Sequence, residues 1–198
     1  MVILKTLTEE YFGEIEREED LIDIHDLNVE IVSFTDNNGK FHKKGYKPKD
    51  KDTLEKLLER MIKVRGDEGD FNDIDTSNIE SMESLFLFNE TFNGDITGWN
   101  VSKVINMSYM FCDAKSFNQD ISKWKFPKVE NMNCMFYDAT SFNQPIGDWE
   151  FPNVTDMNYM FSGATSFDQD LSKWDLSKKA KLGIFDGCHI KDEYKPKM

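Results

Sequence analysis

Three columns of polar residues recur at intervals of 25 and are the positions best placed to do chemistry. They are Asp95/Asp120/Pro145/Asp170, Thr97/Ser122/Gly147/Ser172 and Gly98/Lys123/Asp148/Lys173. A row of carboxylates invites calcium, but Pro145 breaks the first column. The glycine-rich nonapeptide spacing of calcium-binding repeats is also missing, so no metal is expected. The histidines His25, His42 and His189 are scattered, and Cys112, Cys134 and Cys188 fall in different columns. No Ser/His/Asp or Cys/His constellation and no glycine-rich phosphate loop is present. The expectation is a protein without catalytic residues or cofactor. What these columns offer is hydroxyls, carboxylates and ammonium groups repeated along a surface, which suits recognition of another protein. The candidate partner-binding residues are Asp95, Thr97, Asp120, Ser122, Lys123, Asp148, Asp170, Ser172 and Lys173.

The elements that position them are set by the same period. Trp99, Trp124, Trp149 and Trp174 stand 25 residues apart. So do Phe92, Phe117, Phe142 and Phe167, the Ile96/Ile121/Ile146/Leu171 column, and the Met-Phe pairs at 110, 135 and 160. A fixed period in this range marks a stacked-repeat architecture. Alternation around Gln119–Ser122 predicts a short strand. Met132, Met135 and Phe136, at i, i+3 and i+4, predict one or two helical turns. The expected fold is therefore an α/β repeat solenoid of right-handed coils, each with one strand and one helix, stacked at about 4.8 Å. One coil cannot offset the cost of ordering its chain, so stability must come from the interfaces between coils and from sealed ends. Asn93, Asn118, Asn143 and Asp168 form a polar column suited to hydrogen-bonding the turns.

Four regions follow. Residues 1–49 are non-repetitive. Within them Glu10–Arg17 suggests a short helix, and Val29–Phe34 and Phe41–Tyr46, joined through Asn38-Gly39, read as a hairpin. Residues 50–66 contain a capping helix with Asp52 or Thr53 at its start and Gly66 at its end. Residues 67–190 hold about four and a half repeats, and 191–198 a polar tail. The motif Tyr46-Lys47-Pro48-Lys49 recurs as Tyr194-Lys195-Pro196-Lys197.

The formal net charge of -13 argues against nucleic acid as a partner. The charge is uneven: residues 1–30 are strongly acidic, whereas residues 40–65 carry most of their charge as Lys and Arg. No stretch approaches the roughly 18 apolar residues of a membrane span. The opening residues do not read as a secretory signal. An intracellular protein without membrane insertion is the default expectation, and the odd cysteine count favours free thiols.

The segment Phe117-Asn118-Gln119-Asp120-Ile121-Ser122-Lys123-Trp124, followed by Val129-x-x-Met132-x-x-Met135-Phe136-x-x-Ala139-x-Ser141, resembles the 25-residue repeat of the BspA-like leucine-rich-repeat family. The likeness spans roughly residues 46–188. It implies a leucine-rich-repeat-like solenoid, cell-surface location and a role in adhesion or host-protein binding, and it supplies no catalytic residues. The expected function is a non-enzymatic protein-binding scaffold. Alternatives are a carbohydrate-binding surface module, for which only Tyr109, Tyr137 and Tyr159 offer aromatics outside the core, and an enzyme seated in residues 1–49. Neither the partner's identity nor the oligomeric state is legible.

Overall fold

The computed structural model describes residues 22–198. The helix expected at Glu10–Arg17 lies outside these. An antiparallel hairpin opens the described chain, with β1 at Val29–Thr35 and β2 at Phe41–Pro48. The register runs from Val29↔Pro48 to Thr35↔Phe41, with an irregularity between Val32 and Phe34. Helix α1 follows at Lys51–Arg65. Its N-cap is Asp50, not Asp52 or Thr53. The Asp50 carboxylate accepts from the Thr53 amide at 2.9 Å and from the Thr53 hydroxyl at 2.6 Å. Gly66 closes the helix at φ 78°, its amide donating to the Ile62 carbonyl. The apolar stripe Leu54, Leu57, Leu58 and Met61 is buried against the rest of the chain.

Beyond α1 the chain is largely irregular, yet its hydrogen bonding is regular. Parallel bridges link Ser81, Asn106, Asn131, Asp156 and Ala180 in succession. The amides of Met107, Tyr109, Phe111 and Asp113 donate to the carbonyls of Asn131, Asn133, Met135 and Tyr137 at 2.8–2.9 Å. The intervening amides close turns. Met110 donates to Met107, Cys112 to Tyr109 and Ala114 to Phe111, while Ser108 donates to the Asn106 side chain. Every amide from 107 to 114 is thus satisfied, odd residues between segments and even residues within one.

This arrangement corrects the expected helix. Among the described residues no helix occurs in the repeats; apart from α1 there is one short 3-10 turn, Asp192–Tyr194. Tyr109 and Asp113 adopt φ of 59° and 57°, and Cys134 with Asp138 and Tyr159 with Gly163 repeat the pattern. A left-handed residue every fourth position interrupts a right-handed helix. Met132, Met135 and Phe136 still reach the same core, because chained turns also bring i, i+3 and i+4 together. The expected strand at Gln119–Ser122 is likewise absent: Gln119–Ile121 are irregular and Ser122 lies in a turn.

The core is aromatic. Phe86, Phe111, Phe136, Phe161 and Phe185 form one row with successive centroids 5.5–5.9 Å apart and planes within 10°. A second row, Phe92, Phe117, Phe142 and Phe167, stacks against it at 3.9–4.4 Å. The row spacing exceeds the 4.8 Å of a strand ladder because the rings are offset from one segment to the next.

Opposite these bridges an amide ladder ties the segments. The side-chain oxygens of Asn93, Asn118, Asn143 and Asp168 accept the amides of Asn118, Asn143, Asp168 and Lys191. Gln119 and Gln144 reach back to the carbonyls of Asn93 and Asn118 at 2.8 Å. Asn143→Ala strands the Asp168 amide and the Gln169 side chain. It is expected to cost about 1–3 kcal/mol in chemical denaturation. Asn143→Asp, which retains the acceptor as Asp168 does, should recover most of that loss.

Candidate interaction face

The polar columns sit just before each tryptophan, the 97/122/147/172 and 98/123/148/173 columns in a turn. Inward positions are core: Ile96, Ile121, Ile146 and Leu171 are fully buried, and the four tryptophans are at most 4% exposed. Outward positions carry the candidates. Asp120, Lys123, Asp148, Asp170, Ser172 and Lys173 are exposed, and Ser122 is half-buried.

The aspartates are also turn residues. The carboxylates of Asp95, Asp120 and Asp170 accept the amides of Thr97, Ser122 and Ser172 at 2.9–3.0 Å. The Ser172 hydroxyl and amide hold the Asp170 carboxyl below its usual range. Pro145 lacks that acceptor, and its segment is built differently. Gly147 there lies so close to Asp170 that a Cβ would stand 2.2 Å from its carbonyl oxygen. Asp148 and Lys173 pair at 2.6 Å, which holds the Asp148 carboxyl down and the Lys173 ammonium up. Both are exposed, so the pair contributes little to stability. Beside it a concavity of about 360 Å³ opens between Phe151, Pro152, Lys173, Trp174 and Lys179.

Asp95 and Thr97 do not belong to the open face. Asp95 is bridged to Asp70, and the hairpin turn lies on Thr97 and the backbone that follows it. The Asn37 amide donates to the Gly98 carbonyl at 2.9 Å and its side chain to the Trp99 carbonyl at 2.7 Å. The Asn38 side chain donates to the Thr97 hydroxyl at 2.8 Å. Lys40 reaches Asp70 at 3.0 Å. The signal for this contact was a departure from the column. Where later segments have Lys123, Asp148 and Lys173, the first has Gly98, and a Cβ there would stand 2.9 Å from the Asp36 carboxylate. The open face therefore begins at Asp120.

Chemistry elsewhere is sparse. Among the described residues no three His, Cys, Asp or Glu side chains converge as a metal site. Burial pushes the Cys112 thiol up to about 12, and Cys134 and Cys188 upward as well. Such thiols are not nucleophiles at neutral pH. Tyr109, Tyr137 and Tyr159 lie partly exposed on the turn side, apart from the polar columns. No helix among the described residues is long and apolar enough to cross a membrane.

These features define a coil-rich protein built on a buried aromatic stack, with polar side chains set out at a fixed interval. Residues 54–174 and 129–188 match the profile of the family described as Mycoplasma protein of unknown function, DUF285, and the chain belongs to that family. No curated protein and no solved structure matches it.

Proposed function

We propose that this protein is a non-enzymatic, protein-binding scaffold whose repeats form a leucine-rich-repeat-like solenoid of the BspA-like kind. The observation that carries the reading is the split between columns. The inward positions are all but invariant in type and buried, while the outward ones change charge from segment to segment: Lys123, Asp148, Lys173. A surface that must only be soluble has no need of a rigid frame. A surface that must present a particular charge pattern does, and a repeat stack supplies it as an extended face. The segment-to-segment hydrogen bonds support the solenoid, as do the Tyr46↔Ile74 and Asp175↔Lys197 bridges that close its ends on the tryptophan side. Adhesion or capture of a host protein is the role the BspA-like resemblance suggests. A carbohydrate module would want exposed aromatic platforms, and the tryptophans that could provide them are interior.

The test replaces Asp120, Ser122 and Lys123 together. Asp120→Asn keeps the acceptor for the Ser122 amide, so the turn survives while the charge is lost. With Ser122→Ala and Lys123→Glu added, capture of a partner identified with the unaltered chain is expected to fall at least tenfold, with unchanged thermal stability. Undiminished capture would overturn the assignment of this face.

A further inference from the structure

The two ends of the stack are finished on one side only. On the tryptophan side β2 seals the first segment through the Tyr46↔Ile74 bridge, and the tail seals the last through Asp175↔Lys197. On the turn side the last segment is open. Met157, Tyr159, Phe161 and Gly163 donate their amides to the carbonyls of Ala180, Leu182, Ile184 and Asp186. The corresponding amides one segment on, Lys181, Gly183, Phe185 and Gly187, have no acceptor among the described residues. Gly183 and Gly187 keep the left-handed φ of 59° and 70° that aligns such a row. The result is an edge of four parallel N–H groups with no carbonyl between them, a local positive potential.

The local sequence is basic in a chain that is otherwise acidic: Lys181 belongs to the row, its ammonium reaching the Lys179 carbonyl at 3.5 Å, and Lys178 precedes it by three residues. Lys179 is already committed, donating to the Val154 carbonyl at 2.6 Å. Asp186 is the one acid within the row. Leu182 is 66% exposed, and Phe185 is half-buried, stacked on Phe161.

We propose that this edge binds an acidic peptide segment of another polypeptide, whose carbonyl and carboxylate oxygens take the four amides as the next segment's carbonyls do inside the stack. The mode is the addition of a rung to an open edge. A second copy is disfavoured on two counts. Two-fold pairing of this edge sets donors against donors. Head-to-tail addition would need the carbonyl row of Ser81, Glu83, Leu85 and Leu87, which accept no backbone amide among the described residues. Helix α1 flanks that row, with Leu58 and Ile62 across a groove of about 320 Å³, so a rung added there would have to share the space with the helix. This site is separate from the Asp120–Lys173 face, and its test does not depend on that reading.

The probe is a synthetic peptide with the sequence of residues 76–90, which carries Glu80, Glu83 and Glu90 and no Lys or Arg. Bound to the full chain, it is expected to slow amide exchange at Lys181, Gly183, Phe185 and Gly187 at least tenfold. The same peptide with its glutamates changed to lysine should bind at least tenfold more weakly, as should the original peptide to the Lys178→Glu, Lys181→Glu variant. Exchange on the unaltered chain is the readout that survives if the variant misfolds. The proposal is overturned if no binding is detected or if binding leaves these four amides unprotected. It is also overturned if they are already slow in the free monomer, or if protection tracks protein concentration alone, which would hand the edge to a second copy.

Discussion

Replacing Phe136 with alanine is expected to cost about 3–5 kcal/mol of unfolding free energy, the largest loss of any single truncation in the stack. Its ring is fully buried. It stacks on Phe111 at 5.6 Å and Phe161 at 5.5 Å, lies 4.0 Å from Phe142 and meets Trp149 at 6.4 Å. All four neighbours are themselves held by the rows above and below, so little can collapse into the void. In the solenoid proposed above, whose segments would touch only their neighbours, such a defect is transmitted differently from one in a globular core. Weakening the middle interface uncouples the halves, so the urea transition should broaden as well as shift, with a lower slope. Phe185→Ala is the comparison. That ring ends the row and stacks on Phe161 alone in it, at 5.9 Å. Its loss should be clearly smaller, without broadening. Equal losses at the two positions would mean that the rows do not act as one continuous column.

The same residues show how much of the molecule the sequence made legible. The 25-residue interval told which side chains are interior, because a buried column tolerates little change in size, and the tryptophan and phenylalanine columns change least. It also told that the Asn93–Asp168 column serves the backbone. It could not tell helix from chained turns at Met132–Phe136, since both conformations bring i, i+3 and i+4 to one face. The deciding residues are Cys134 and Asp138, at φ 52° and 51°. Nothing in a cysteine announces the left-handed region, although Gly163 in the Asp138 column hints at it. The face was legible from its columns, but its extent was not. Asp95 and Thr97 look like Asp120 and Ser122 in sequence. They differ because Asp95 is bridged to Asp70 and a hairpin some 60 residues earlier lies on Thr97 and the backbone that follows it. The contact depends on long-range geometry, and its local trace is the single Gly98.

Asp36→Ala is expected to release that hairpin. The Asp36 side chain is 1% exposed and His42 7% exposed, and they meet at 2.8 Å. The same carboxylate accepts the amides of Asn38 and Lys40, each at 2.9 Å. Phe34 stacks on His42 at 5.0 Å and packs over Gly45, where a Cβ would stand 2.4 Å from the ring. Removing the carboxylate leaves the enclosed His42 ring and the two turn amides without their acceptor, at a cost of about 1–3 kcal/mol for each group left buried. The rest of the stack does not need the turn, so the loss should appear as local opening. Exchange at the Asn37, Asn38 and Lys40 amides should accelerate by two or more orders of magnitude, while amides at 107–138 stay protected. Asp36→Asn, which keeps an oxygen for the two turn amides, should fall between. Release would also uncover Thr97 and the backbone of Gly98 and Trp99, extending the face by one segment towards the N-terminus. If the Asp120–Lys173 face binds a partner, Asp36→Ala should change which partners it retains without weakening contacts at Lys123 or Lys173. The mutation thus separates the frame from the surface it displays. Global unfolding in parallel with turn opening would show the hairpin to be part of the frame, and a stack that survives its loss would show it to be a cover.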